Sequence, residues 1–314
     1  MVFALKILVT DPVHEDGLKM LKNEGFHVDL AYGISGDELK EKIRDYDAVI
    51  VRSRTKVTRE IIEAAEKLKA ICRAGVGLDN IDLKAAEDHG IKVLSSPEAP
   101  TIAVAELVFG LLLCFSRKIS YCDRMMKEGK WVKREALGFE LKGKTLGIIG
   151  LGRIGREVAV RARAFGMRVI YFDVYRPSSE VEKNLGVEYR DFSDLLREAD
   201  IITVHVPLTP KTHHLIGEKE FSLMKDGVIL VNTSRGPVVD TKALLAALKS
   251  GKVSGACLDV FEHEPPREDW ELELVKLPNV IATPHIGAMT VEAQRNASVI
   301  LANKIISMFK GEKL

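Results

Sequence analysis

Residues 145–155 read Thr-Leu-Gly-Ile-Ile-Gly-Leu-Gly-Arg-Ile-Gly, with a G-x-G-x-x-G turn at Gly150, Gly152 and Gly155. An apolar run that suits a buried strand leads into the turn, and a helical stretch, E-V-A-V-R-A-R-A-F at 157–165, follows it. In that context each glycine has a physical task. The first permits the tight turn, the second lets the backbone approach a pyrophosphate, and the third lets helix and strand pack closely. The helix start then offers unpaired N–H groups and a partial positive charge to phosphates. A second strand, R-V-I-Y-F at 168–172, ends at Asp173, 18 residues beyond Gly155. A carboxylate there accepts hydrogen bonds from the adenosine ribose hydroxyls and repels a 2′-phosphate, so NAD is the expected cofactor rather than NADP. Arg176 argues the other way, because a nearby arginine accommodates that phosphate.

Outward from the turn, short Val- and Ile-rich runs alternate with polar-faced helical stretches, the pattern of a parallel sheet covered on both faces. Before it, strands are expected at 5–9, 28–30, 48–51, 70–73 and 92–94, with helices near 15–23, 36–44, 58–65 and 83–89. After it, strands are expected near 168–172, 201–204, 228–231, 254–258 and 280–282. Pro97 and Pro100 break the first series, and a long apolar helix from about Ile102 to Arg117 separates the two. The chain thus holds two α/β units, the second entered near residue 98 and left near 288. Periodicity makes 290–308 helical and leaves open which unit that helix joins.

At 314 residues the chain is long enough for two domains and a full core, so it needs no disulfide or metal staple. Lys+Arg number 46 and Asp+Glu 45, a net charge of +1, which gives no reason to expect a nucleic-acid or membrane-surface partner. Cys72, Cys114, Cys122 and Cys257 form no C-x-x-C pair, and three of them sit in apolar surroundings and read as small buried hydrophobes, so no metal site is expected. The first residues lack the basic region and cleavage site of a secretion signal, and the longest apolar run, Leu107–Phe115, is too short to span a bilayer. A cytoplasmic protein is expected.

Three candidates for chemistry follow predicted strand ends, where ligand sites of doubly wound sheets gather. They are Arg235 in N-T-S-R-G, Glu264 in E-H-E-P-P and His285 in P-H-I-G. Hydride transfer asks a protein for a cation to hold a carboxylate and polarise a carbonyl, and arginine does so bidentately. It also asks for a proton donor and acceptor near neutral pH, as histidine is, and for a carboxylate to orient that histidine. Singly, each residue reads as readily as a solvated loop charge. Together, at successive strand ends, they match those requirements.

V-R-S-R-T-K-V-T at 51–58, R-A-G-V-G-L-D-N-I-D at 73–82, G-K-T-L-G-I-I-G-L-G-R-I-G at 143–155, V-N-T-S-R-G at 231–236, L-D-V-F-E-H-E-P-P at 258–266 and P-H-I-G-A at 284–288 carry a further signal. With these stretches the chain resembles, over essentially its whole length, the D-isomer-specific 2-hydroxyacid dehydrogenase family. The resemblance implies an α/β fold of two doubly wound parallel-sheet domains. A Rossmann NAD-binding domain, residues 99–288, would be inserted in a flavodoxin-like substrate domain made of 1–98 and 289–314, so that the last helix returns to the first unit.

The resemblance also implies Arg235 as carboxylate binder, Glu264 as orienting acid and His285 as proton donor. Cofactor contacts carry over to Gly150, Gly152, Arg153, Ile154, Gly155, Asp173, His205, Val206, Pro207, Thr233, Ser234, Asp259, Gly287, Ala288, Val76 and Thr101. Substrate contacts carry over to Arg52, Ser53, Arg73 and the loop Gly75-Val76-Gly77, with Arg54 and Arg134 as further cations for a phosphate. The chain departs from the family at Pro100, where relatives often carry Asn.

The branch it most resembles oxidises D-3-phosphoglycerate as the entry to serine synthesis. Reduction of glyoxylate or hydroxypyruvate is the alternative, and an NAD-sensing corepressor a remoter one. Glu264 stands where the formate-oxidising branch has Gln. A homodimer is implied, through the helix after residue 100. With the chain ending at Leu314, feedback by serine through an appended regulatory domain is not expected.

Overall fold

The computed structural model describes residues 5–311. The chain divides into two units, Met1–Thr101 with Ala288–Leu314, and Ile102–Gly287. In the first, β1 (Lys6–Val9), β2 (His27–Leu30), β3 (Ala48–Val51), β4 (Ala70–Arg73) and β5 (Lys92–Ser95) form a parallel sheet in the order β2-β1-β3-β4-β5. β3, A-V-I-V, is buried at all four positions, as a central strand covered on both faces must be. Leu8, Val49, Val51 and Ile71 meet Ile61, Ile62 and Ala85 on one face, and Ile7, Val9, Ile50 and Cys72 meet Leu21, Leu301 and Ile305 on the other. Each of the Leu, Ile and Val side chains among them contributes roughly 1.5–3 kcal/mol by leaving water.

Helix Val291–Lys310, from the opposite end of the chain, thus packs against the helix Glu15–Asn23 and beneath β4 and β5. Ser298 Oγ donates to the His14 carbonyl at 2.7 Å. Gly17 permits that approach, because a Cβ there would lie 2.3 Å from Ser298 Oγ. Strand order reverses between β1 and β3, so the chain just past their carboxyl ends, Asp11 and Arg52–Arg54, flanks the point where ligands of such sheets bind.

In the second unit, β6 (Thr145–Ile149), β7 (Arg168–Phe172), β8 (Glu188–Tyr189), β9 (Ile201–Val204), β10 (Val228–Asn232), β11 (Val253–Leu258) and β12 (Val280–Ala282) form a parallel sheet in the order β12-β11-β10-β9-β6-β7-β8. The reversal here lies between β6 and β9, at the glycine turn. Helix Thr101–Ser116 brings Ala105, Val108 and Leu112 into one core with Leu146, Ile148 and Val231. Cys72 and Cys257 are buried, Cys114 and Cys122 half-buried, and all four are free thiols. Among the described residues no helix is long and apolar enough to cross a membrane.

Candidate functional site

The glycine turn links β6 to the helix Arg153–Ala164. Gly150 adopts φ +98°, and a Cβ on it would sit 2.9 Å from the His205 backbone. A Cβ on Gly155 would sit 2.2 Å from the Gly150 carbonyl oxygen. Both positions therefore exclude a side chain, one by conformation and one by contact. Gly152 is different. It is the N-cap of the helix, no side chain caps it, and nothing lies within 4 Å of where its Cβ would be.

Asp173 stands beside the turn, accepting from Leu151 N at 2.7 Å and Tyr175 N at 2.9 Å. One bond to each carboxylate oxygen leaves lone pairs on both for further donors. His205 Nε2 bonds Thr203 Oγ1 at 2.9 Å. Its Nδ1 and the Thr233 hydroxyl are buried with no protein partner, as groups awaiting a ligand would be. Burial holds the His205 pKa down to about 3, so the ring is neutral. An open helix start, a carboxylate beside it with lone pairs to spare and two unpartnered buried polar atoms together fit a dinucleotide.

Arg235, Glu264 and His285 follow β10, β11 and β12, three adjacent strands, at their carboxyl ends. His285 Nδ1 lies 2.6 Å from Glu264 Oε2. Burial alone would raise the Glu264 carboxyl, but the bond to His285, its charge, the Phe261 N–H and the Arg235 charge outweigh it and hold the pKa below its ordinary 4.5. Ionised, Glu264 only accepts, so Nδ1 carries the hydrogen and Nε2 is left to exchange a proton. Both side chains are part-exposed, at 46% and 39%, which gives a substrate access to them.

The loops that carry these residues are held from inside. Asn232, buried at the end of β10, accepts from Ser234 N and Oγ and donates to the Arg235 carbonyl, all at 2.9–3.0 Å. Asp259 is 1% exposed; its carboxylate takes Thr283 Oγ1 at 2.6 Å and Ile286 N and Gly287 N at 2.8 Å, and its carbonyl takes His285 N at 2.9 Å. His285 is thereby fixed at φ +52°, a backbone state few non-glycine residues adopt. Glu271, fully buried, accepts from the backbone of His263, Arg267 and Glu268 and from His263 Nδ1, tying down the E-H-E-P-P loop. Gly236 lets the Arg235 and Glu264 loops touch, because a Cβ on it would lie 2.0 Å from the Phe261 carbonyl.

In the first unit, Arg52 and exposed Ser53 follow β3. The Arg52 side chain makes one long bond, to the Pro12 carbonyl at 3.4 Å. Arg54 is committed elsewhere. Its Nε meets the buried carboxylate of Asp11 at 2.9 Å, and its Nη2 donates to Thr10 O and Thr55 Oγ1. That pairing makes it a clamp on the β1–β3 loops rather than a ligand cation. Arg73 folds back over the loop after β4, and a Cβ on Gly75 would fall 1.4 Å from its Nη1. Buried Ser96 pins that loop, taking Gly75 N on its hydroxyl and donating its own N–H to the Gly75 carbonyl. Val76 is exposed and Thr101 opens its helix with a buried hydroxyl that has no partner. Arg134 lies exposed in the turn at 133–136 of the other unit.

Residues 109–287 match the model of the D-isomer specific 2-hydroxyacid dehydrogenase, NAD binding domain. The chain belongs to the D-isomer-specific 2-hydroxyacid dehydrogenase family. Its cofactor is NAD. The family chain is 52% identical over 309 residues to D-3-phosphoglycerate dehydrogenase of Methanocaldococcus jannaschii, covering 98% of this chain and 58% of that protein. It is 48% identical over 300 residues to hydroxypyruvate reductase of Thermotoga maritima, covering 96% and 97%. Among solved structures, a glyoxylate reductase from Paecilomyes thermophila superimposes with a TM-score of 0.90 at 35% identity, covering 100% of this chain and 98% of that one.

Proposed function

We propose that the protein interconverts a small D-2-hydroxy acid and its 2-oxo acid, with D-3-phosphoglycerate as the substrate oxidised. The observation that carries this is the His285–Glu264 pair with the Arg235 charge at three adjacent strand ends. NAD, when bound, accepts the hydride from C2 or returns it. The open helix start at Gly152–Arg153–Ile154 holds the pyrophosphate, Asp173 the ribose, and Thr233, Ser234, His205–Pro207 and Gly287–Ala288 the remaining polar edge. Arg235 grips the substrate carboxylate and draws charge onto the C2 oxygen as it develops. His285 Nε2 takes the C2 hydroxyl proton, and the Glu264 carboxylate stabilises the resulting imidazolium. On the acid side this pair fails as Glu264 protonates, so turnover persists through neutral pH and is lost as pH falls below the ordinary carboxylate range.

Arg52, Ser53, Arg73 and the Gly75–Gly77 loop, at the carboxyl ends of β3 and β4, supply the donors for the acid's anionic groups. The close phosphoglycerate dehydrogenase relatives, of whose length the chain spans 58%, support a phosphorylated substrate, whereas the hydroxypyruvate reductase, matched over 97% of its length, keeps reduction of unphosphorylated oxo acids as the second reading. The reading places the protein in the cytoplasm as a homodimer.

The two substrates are separated by comparing kcat/KM for 3-phosphoglycerate, glyoxylate, hydroxypyruvate and lactate/pyruvate with NAD(H). 3-Phosphoglycerate is expected to lead by at least about tenfold, and Arg52→Ala to lower its value alone by about an order of magnitude. A lead for glyoxylate or hydroxypyruvate would replace the first reading with the second.

A further inference from the structure

Arg176 stands three residues beyond the ribose carboxylate Asp173, where a guanidinium invites a 2′-phosphate. The structure shows that it is engaged. Its Nε donates to Glu182 Oε1 at 2.7 Å and its Nη2 to Oε2 at 3.1 Å, a two-point grip in which both carboxylate oxygens are used. The guanidinium also lies 4.7 Å over the Tyr189 ring. Glu182, in the helix Ser179–Leu185, is itself held from below. The hydroxyl of fully buried Tyr171 donates to its Oε1 at 2.5 Å, and its side chain is only 13% exposed against 58% for Arg176. The better-anchored partner is therefore the acid, and the more exposed one is the arginine drawn to it. Planar, bidentate and stacked, such a pair is the strong form of an arginine–carboxylate contact. A second carboxylate also adds negative charge on the stretch after β7, which already disfavours a phosphate.

We propose that Glu182 is a cofactor-selecting positioning residue, which takes Arg176 out of reach of a 2′-phosphate and so enforces the preference for NAD over NADP. The inference rests on the proposed role of Asp173 at the ribose. Asp173 refuses the phosphate directly, and Glu182 removes the cation that would otherwise compensate. Tyr171 and Tyr189 supply the frame, one fixing the acid and the other the guanidinium face.

Fluorescence titration of NADH and NADPH tests this without any substrate. Wild type is expected to bind NADH more tightly. Glu182→Gln keeps an acceptor for the Tyr171 hydroxyl while removing the charge. It is expected to tighten NADPH about tenfold, with NADH changed less than about twofold, because a released guanidinium makes charge-assisted bonds to phosphate. Adding Arg176→Ala to that variant should cancel the gain, and Arg176→Ala alone, on an exposed side chain, should leave NADPH binding as in wild type. An unchanged NADPH affinity in Glu182→Gln with NADH binding intact would overturn the proposal alone. So would a gain that survives loss of Arg176, or weaker NADPH binding in Arg176→Ala alone. Equal binding of the two cofactors by wild type would overturn the Asp173 reading beneath it.

Discussion

Replacing His285 with asparagine is expected to lower kcat by about three orders of magnitude while NADH binding stays within about threefold of wild type. Asparagine tolerates the φ of +52° at this position and can still meet Glu264, so the loop geometry is kept and only the proton exchange at Nε2 is removed. The separation of the two readouts is what matters. His285 sits on the loop after β12, whereas the glycine turn follows β6. Steady-state kinetics with a parallel fluorescence titration checks this. Full turnover in the variant would remove His285 from the chemistry and would favour a binding role for the whole protein.

Gly236→Ala should do comparable damage by a different route. The new Cβ would meet the Phe261 carbonyl carbon and oxygen at 2.0 Å and Glu262 N at 2.5 Å, all backbone atoms that cannot swing aside. Either the Arg235 turn or the loop leading to Glu264 must shift by about an ångström. Displacement on that scale costs on the order of a hundredfold in rate when reacting groups must be aligned. Overpacking of this kind also costs roughly 1–3 kcal/mol of stability. A fall in kcat/KM of about a hundredfold, together with a lower melting temperature, is the expected result. Wild-type values for both would mean that the two loops do not depend on their close approach.

The fold was legible because its signals are local and repeated. β6, β7, β9 and β12 lie where Val- and Ile-rich runs end in turn residues, and the glycine turn sits at the reversal in strand order. β8, Glu188–Tyr189, was missed because two residues cannot display a period. The segment read as one helix over 36–44 is an α-helix to Lys42 followed by a single 3-10 turn at Ile43–Asp45, a change of pitch that sequence spacing does not resolve. The apolar pattern of 291–310 says only that one face is buried, and the partners that bury it, with Gly17 permitting the approach, lie nearly the whole chain away.

Arg235, Glu264 and His285 were legible as candidates for a related reason, because they follow strand ends, and the structure places all three there. The residues that hold their loops were not. Asn232 reads as an ordinary turn residue. Glu271 lies in D-W-E-L-E-L-V-K and looks like any charge on an amphipathic helix, yet it is fully buried under four hydrogen bonds. Asp259 reads as a cofactor contact by resemblance, and in the structure its visible work is to fix the His285 loop. Arg54 looks as available as Arg52 until Asp11, which the sequence places 43 residues earlier, is seen to hold it. Asp259 and Arg54 depend on partners distant in sequence, which no local pattern encodes, whereas Asn232 and Glu271 bond to near neighbours and are hidden instead by their burial.

The central claim is that hydride passes between NAD and C2 of a 2-oxo acid, with His285 exchanging the proton. Its most direct test is isotopic. Hydroxypyruvate and 3-phosphohydroxypyruvate are reduced with NADH carrying deuterium at the transferable C4 position, and the products are analysed by NMR and chiral separation. The account predicts deuterium at C2 of a product of D configuration, formed by wild type and about a thousandfold more slowly by His285→Asn. Product without deuterium at C2, product of L configuration, or equal rates in the two proteins would contradict it.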